Sequence, residues 1–182
     1  MNYGLTHKVV TFNVDAMSVV NQCTQNPTLE WKDATLFDKT KDKRKSSVTW
    51  IQDPIMYTML MKMVAQINKT AGWNFKITGV EPIQYGLYPK GGYYGWHVDQ
   101  HPKPVKGMVR KISMSLFLNE EYEGGTFDLE IYKPGTDPRY KSFSLNRGQA
   151  IFFPADTWHQ VQPVTKGLRE SIVAWFYGPP YQ

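Results

Sequence analysis

The second half of the chain is a succession of short apolar stretches separated by turn residues, and this pattern limits the fold more than any other feature. From Asn74 onward the apolar period changes from helical to strand-like, as at residues 75–80 and 83–88. Further strands are predicted at residues 110–118, 126–131, 141–145, 149–153, 158–161 and 168–177. Several short strands with turns between them favour a β-sandwich or a β-barrel.

The N-terminal part of the chain has mainly helical signals. Residues 8–14 resemble a strand, and Asp15 is positioned to cap a short helix that ends at about Cys23. Asp53 followed by Pro54 is typical of a helix start, and the apolar spacing carries this second helix to about Thr70. We therefore expect a mainly β fold with N-terminal helices that pack on the sheet.

A segment of charged residues separates the two predicted helices. Residues 38–47 carry five basic and two acidic side chains and nothing apolar, which predicts a solvated loop. The alternative is a loop on the substrate side of a functional site. The whole chain has a formal charge of +5 and a pI near 9.2, which permits an anionic substrate or a nucleic-acid surface without requiring either.

Length and cysteine content bound the organisation of the chain. Its 182 residues suit a single domain over residues 1–182, in which residues 1–73 support a sheet-rich core at residues 74–178. Cys23 is the only cysteine, so no internal disulfide can form and a cytoplasmic location is expected. The start does not resemble a signal peptide, and no run approaches the ~18 apolar residues of a membrane span, so we expect a soluble protein.

One short motif suggests a metal site. His97 and Asp99 are two residues apart, so in an extended strand their side chains project from the same face. His159 is the best candidate for a third ligand, although His101 shares the same alternation and is a weaker alternative. Two histidines and one carboxylate form the facial triad of non-haem iron(II) oxygenases, which leaves coordination positions open.

A basic side chain follows the third candidate ligand. If a tight turn centres near residues 164 and 165, His159 and Arg169 face each other across an antiparallel pair. Arg169 shares its strand face with Ser171, Val173 and Trp175. A buried arginine requires an anionic partner, and its planar fork near a metal suits the far end of a dicarboxylate, with Ser171 as a second donor.

Taken together, these motifs resemble the iron(II)- and 2-oxoglutarate-dependent dioxygenases, specifically their prolyl 4-hydroxylase-like branch. The resemblance covers roughly residues 75–178. It is carried by Tyr88-Pro89, Gly92-Tyr93, His97-x-Asp99, Arg110, Phe117-Leu118-Asn119, Gly124-Gly125-Thr126-Phe127, Gly148, Phe153-Pro154, His159, Pro163-Val164-Thr165, Gly167, Arg169 and Trp175.

The resemblance implies a double-stranded β-helix, or jelly-roll, core that uses Fe(II), 2-oxoglutarate and O2, with ascorbate as a supporting reductant. It further implies that iron is held by the His97, Asp99 and His159 side chains and that 2-oxoglutarate places its far carboxylate on Arg169. Tyr88 would hydrogen-bond the co-substrate. The relatives often carry another hydroxyl donor on the strand at residues 110–118, but Phe117 on this strand has no hydroxyl. Ser171, Tyr88 and Ser113 are therefore all candidates to complete the carboxylate site.

The resemblance also implies a protein or peptide substrate, with a prolyl residue as the favoured target. Tyr85, Tyr94 and Trp175 are expected to line the substrate pocket. The same chemistry on a nucleobase or a free amino acid is an alternative, and so is a cupin-like module that binds metal without redox chemistry. The sequence predicts no oligomeric state.

Overall fold

The computed structural model describes residues 4–34, 43–131 and 139–181. Its two helices are α1 (Val14–Thr24) and α2 (Pro54–Thr70). The strands within the described residues are β1 (Lys8–Thr11), β2 (Lys32–Asp33), β3 (Arg44–Lys45), β4 (Ser47–Ile51), β5 (Gly79–Val80), β6 (Ile83–Pro89), β7 (Tyr93–His97), β8 (Val109–Phe117), β9 (Tyr122–Gly124), β10 (Phe127–Glu130), β11 (Tyr140–Phe143), β12 (Gln149–Pro154), β13 (His159–Val161) and β14 (Val164–Gly178).

The strands form two antiparallel sheets. The major sheet has the order β1-β12-β8-β14-β6-β4-β2, and β5 and β9 also pair with β14. The minor sheet has the order β11-β10-β13-β7-β3. Residues of both sheets share one apolar cluster, so the sheets face each other as in a jelly roll. The predicted mainly β fold with a jelly-roll core and N-terminal helices is confirmed.

The helices cover the other face of the major sheet. Buried side chains of α2, including Met56, Leu60 and Val64, belong to one apolar cluster with Ile112 and Ile172 of the sheet. Asp53 caps α2 as predicted, because its carboxylate accepts from the Met56 amide at 2.7 Å. The predicted cap of α1 is wrong by two residues.

At the start of α1, the side chain of Asn13 accepts a hydrogen bond from the Ala16 amide at 2.8 Å, so Asn13 is the N-cap and Asp15 lies in the first turn. An acidic residue there is favourable because the free amide groups give a helix N-terminus a partial positive charge. Both residue types occur at either position, which explains the shift of the boundary.

The predicted hairpin between His159 and Arg169 is wrong. β13 pairs with β7 and β10 of the minor sheet, whereas β14 pairs with β6, β8 and β9. The segment around Pro163 therefore carries the chain from one sheet to the other instead of folding it back on itself. His159 and Arg169 lie on opposite walls of the same interior.

The predicted loop at residues 38–47 is also corrected in the part that the structure describes. Arg44 and Lys45 form the strand β3, which pairs with Tyr94 and Tyr93 of β7, and Ser47 begins β4. Residues 38–42 lie outside the described residues. Arg44 and Lys45 thus extend the minor sheet at its edge.

Within the described parts of the chain, no helix has the length and the apolar character needed to cross a membrane. The division into residues 1–73 and 74–178 stays a prediction, and the N-terminal part contributes strands to both sheets.

Candidate metal and co-substrate site

Three of the predicted ligands meet in the interior between the sheets. His97 is the last residue of β7, Asp99 follows two residues later, and His159 begins β13 directly opposite His97. The Asp99 carboxylate lies 3.6 Å from His97 Nε2 through Oδ1 and 3.4 Å from His159 Nε2 through Oδ2. One ligand atom from each residue lies within 4.8 Å of the others. Antiparallel pairing therefore brings together residues that are distant in the chain.

The two imidazoles are oriented by the main chain. His97 Nδ1 lies 2.7 Å from the Gly95 carbonyl oxygen, and His159 Nδ1 lies 2.9 Å from that of Thr157. Since a carbonyl only accepts, each Nδ1 carries a proton, so in a neutral ring the Nε2 atom, on the side of Asp99, is the one available to a metal. The Tyr94 ring stacks on His97 with centroids 3.5 Å apart and planes 11° apart. This arrangement fixes both rings in the form that binds a metal.

The carboxylate of the cluster is also fixed. Ser113 of β8 donates its hydroxyl to Asp99 Oδ2 at 2.6 Å, and the Asp99 amide donates to the Ala155 carbonyl at 3.0 Å. Burial acts to raise the pKa of Asp99, but His159, His97 and the Ser113 hydroxyl outweigh it and hold the pKa well below its usual range. Asp99 is therefore an anion at neutral pH.

Burial lowers the pKa of His159 to about 4 because the charged imidazolium would be poorly solvated there. A neutral imidazole and a carboxylate are the states that bind a divalent ion, so the donor set fits the iron of a facial triad. Among the described residues, the cluster of possible ligands contains His97, Asp99 and His159 but not His101.

A buried cation lies on the opposite wall. Arg169 is 1% exposed, and its Nη1 donates to Ser171 Oγ at 3.1 Å. Its Nε and Nη2 are buried and have no acceptor among the described residues. The guanidinium lies 4.8 Å from the Phe117 ring centroid and 5.3 Å from that of Tyr88. Two unused donors on a buried arginine fit the carboxylate of a co-substrate.

The three candidate hydroxyl donors for that carboxylate differ in their surroundings. Ser171 accepts from Arg169, which leaves its own hydrogen free for a ligand, and Tyr88 is buried beside the same guanidinium. Ser113 already donates to Asp99. Ser113 therefore supports the metal site, and Ser171 and Tyr88 stay the candidates for the carboxylate site.

The expected substrate residues are divided between two environments. Tyr94 and Trp175 line the cleft together with His97, Asp99 and Arg169. Tyr85 does not, because its side chain packs against Trp31 and the helix-facing core and hydrogen-bonds Glu170. Side chains alternate along β6, so Gln84 occupies the cleft instead. The prediction for Tyr85 is therefore corrected.

A second arginine near the metal cluster was not predicted to take part in the site. Arg110 forms two hydrogen bonds with the Glu81 carboxylate, at 2.8 Å and 2.6 Å, and a third with the Asp99 carbonyl at 3.1 Å. Its guanidinium lies 4.0 Å from the Trp175 ring centroid. This arrangement holds the Trp175 indole in place, while the indole Nε1 is buried without an acceptor among the described residues.

Comparison with known proteins gives matches that cover the site. Residues 83–177 match the model of the 2OG-Fe(II) oxygenase superfamily. A PKHD-type hydroxylase of Pseudoalteromonas atlantica is 36% identical over 102 residues, which is 53% of this chain and 43% of that protein. One of Nitrobacter winogradskyi is 39% identical over 102 residues, with the same shares. The chain thus spans less than half the length of the curated relatives that it matches.

Solved structures share the fold. A prolyl-4-hydroxylase of Pseudomonas putida matches with a TM-score of 0.71 and 19% identity, over 94% of this chain and 92% of that one. A prolyl hydroxylase of Trichoplax adhaerens, solved with a peptide fragment of a hypoxia inducible factor, matches with a TM-score of 0.70 and 18% identity, over 94% and 83%. At this identity, the likeness shows a common jelly-roll architecture.

Proposed function

Because this chain belongs to the 2OG-Fe(II) oxygenase superfamily, whose chemistry uses iron(II), 2-oxoglutarate and O2, we propose that it hydroxylates a C–H bond of a prolyl residue in a protein or peptide. Succinate and CO2 would be the co-products. The names of the hydroxylase relatives and of the prolyl hydroxylases with the same fold support this reaction. The cluster of His97, Asp99 and His159 across the cleft from the unpaired donors of Arg169 is the observation that carries it.

We assign the roles of the site residues from their geometry. The Nε2 atoms of His97 and His159 and the carboxylate of Asp99 would hold iron(II) on one face. Arg169, with hydroxyl groups of Ser171 and Tyr88, would bind the far carboxylate of 2-oxoglutarate. When bound, iron and 2-oxoglutarate together supply the oxidising power for the C–H bond. The protein contributes ligand geometry and a charge partner.

Buried apolar side chains form part of the cleft wall. Phe127, Phe153 and Val161 line the same cleft and are almost fully buried. Phe153 meets the His159 ring edge to face, with centroids 4.8 Å apart. A dry cleft strengthens the interaction between Arg169 and a carboxylate, and it protects a reactive centre from side reactions with solvent.

Aromatic side chains in the cleft and beside it support a peptide substrate. Trp50 of β4 is 44% exposed, and its ring centroid lies 6.0 Å from that of Trp175. Tyr94 lines the cleft next to His97, and burial raises its pKa to about 12, so it keeps its hydroxyl proton at neutral pH. Flat aromatic faces beside a metal site are suited to packing a proline ring.

The decisive experiment measures binding, turnover and product with one pair of variants. We expect the wild-type protein with iron(II) and 2-oxoglutarate to form a visible charge-transfer band without oxygen, and to release succinate with oxygen. Mass spectrometry of proline-containing peptides should then show a gain of one oxygen atom. His97→Ala should lose the band and the turnover, whereas the control His101→Ala should retain both.

Two results would contradict the proposal. Unchanged succinate formation in His97→Ala would remove the proposed metal site. Oxidation of a nucleobase or a free amino acid by the wild-type protein, with every proline-containing peptide left unchanged, would keep the cofactors and replace the substrate.

A further inference from the structure

Arg44, in the basic segment that the sequence predicted to be a loop, lies against the cleft. It belongs to β3 at the edge of the minor sheet, opposite Tyr94 of β7. Its guanidinium lies 4.5 Å from the Tyr94 ring centroid and 6.0 Å from that of Tyr88. Tyr94 also stacks on His97, so a single ring connects Arg44 with a candidate metal ligand. Edge-strand pairing thus brings a cation to the site.

The Arg44 guanidinium is held in one orientation. Its Nε donates to Ser46 Oγ at 2.7 Å, and its Nη1 donates to Gln84 Oε1 at 3.4 Å. Gln84 lines the same cleft as Tyr88 and Tyr94. The guanidinium therefore contacts both sheets, since Gln84 belongs to the major sheet and Tyr94 to the minor one.

The remaining nitrogen of this guanidinium differs from the other two in its surroundings. Arg44 Nη2 is buried and has no hydrogen-bond acceptor among the described residues. The acceptors of its other two nitrogens, a hydroxyl and an amide, are both neutral. Arg110 differs, because the Glu81 carboxylate neutralises it at 2.6 Å. Arg44 as a whole is only partly buried, but an enclosed donor without an acceptor costs free energy, and an anionic ligand that accepts from Nη2 removes that cost.

We propose that Arg44 is a second carboxylate-binding residue of the cleft, separate from Arg169. Nη2 would receive one carboxylate oxygen, and its fixed orientation favours a single bond to that oxygen. The carboxylate comes either from the 2-oxo acid end of the co-substrate or from the substrate that is oxidised. The inference rests on the proposed function in assigning the far carboxylate of 2-oxoglutarate to Arg169 and in the choice of proline derivatives as substrate probes.

Binding measurements on protein loaded with Zn²⁺ test this role without turnover. The probes are 2-oxoglutarate, 2-oxopentanoate, N-acetyl-L-proline and N-acetyl-L-prolinamide, each titrated by calorimetry. The two 2-oxo acids differ only at the far carboxylate, and the two proline derivatives differ in having a carboxylate or a neutral amide at the same position. Arg44→Met keeps an unbranched side chain against Tyr94 and removes the fork. The control Arg147→Met removes one positive charge at an exposed position.

We expect Arg44→Met to weaken carboxylate binding by about tenfold or more, as for a lost charge-assisted hydrogen bond. An equal loss for both 2-oxo acids would identify the co-substrate as the source. A loss confined to N-acetyl-L-proline, with N-acetyl-L-prolinamide unchanged, would identify the oxidised substrate. Arg44→Lys keeps the charge without the fork and should recover only part of the affinity.

The proposal is overturned if Arg44→Met binds all four probes within twofold of wild type, even if its melting temperature falls. That result would mean that Arg44 has only a structural role, in which it supports Tyr94 and Gln84. The proposed function fails on a different measurement, because unchanged 2-oxoglutarate binding in Arg169→Met would refute the co-substrate assignment and leave the result for Arg44 standing.

Discussion

Replacing Ser113 with alanine should weaken metal binding without disturbing the fold. The Ser113 side chain is fully buried, and its hydroxyl donates to Asp99 Oδ2 at 2.6 Å. Alanine removes the donor and leaves a carboxylate oxygen without this bond in a dry environment. The Asp99 main chain is still held by hydrogen bonds with Ala155 and Arg110, so the position of the residue is preserved while the orientation of its carboxylate is not.

The magnitude follows from the type of bond. A hydrogen bond to a charged group contributes about 1.5 to 3 kcal/mol, and we take about 2 kcal/mol, close to the middle of that range, for this short and buried bond. That free energy corresponds to a factor of roughly 30 in a dissociation constant. Groups that orient metal ligands typically change metal affinity by about 10 to 100 fold, which brackets the same value.

The assay is a competition titration with Zn²⁺ or anaerobic iron(II) against a chromophoric chelator. Ser115→Ala is the matched control because Ser115 is the same residue type on the same strand, is 4% exposed and also lines the cleft. Thermal unfolding of the metal-free variants checks the fold. Affinity of Ser113→Ala within twofold of wild type, or an equal loss in Ser115→Ala, would refute the reasoning.

Three further outcomes are expected. Arg169→Met should raise the dissociation constant of 2-oxoglutarate by about tenfold or more and leave metal affinity within twofold, which calorimetry measures. Asp128 is fully buried and accepts from four neutral donors, so Asp128→Ala should lower the free energy of unfolding in urea by about 3 kcal/mol and Asp128→Asn by less. The metal-free protein should lose stability as the pH falls from 6.5 to about 4. In this range His159 is protonated in the unfolded protein, whereas its lowered pKa keeps it neutral in the folded protein. Urea titrations across that range should show a flatter profile for His159→Phe.

Local sequence rules were sufficient to predict most of the residues that line the cleft. The alternation of side chains along a strand predicted that Arg169, Ser171, Val173 and Trp175 share a face, and all four line the cleft. The same rule would have excluded Tyr85 from the predicted pocket residues. Tyr88 of that strand faces the interior, and Tyr85 is an odd number of positions away from it. The helix start at Asp53-Pro54 was also readable, because capping is a contact between near neighbours.

Features that depend on pairing between distant segments of the chain could not be predicted from the sequence. Pro163 and Gly167 are typical of a hairpin turn, yet Val164 pairs with Gly124 and leads the chain into the other sheet. The charge run around Arg44 has the composition of a surface loop, and only its pairing with Tyr94 brings the guanidinium to the cleft. The contact between Glu81 and Arg110 likewise joins residues with no local relation in the sequence.

The direct opposition of His97 and His159 across β7 and β13 has a consequence for the order of refolding. Closing the long loop between them carries an entropic cost that must be met before these strands gain their contacts, so we expect this pairing to form late. Uptake of a metal by the refolding chain would therefore report the closure of the minor sheet. A metal that binds only the closed site would stabilise the native state without accelerating the collapse that precedes it.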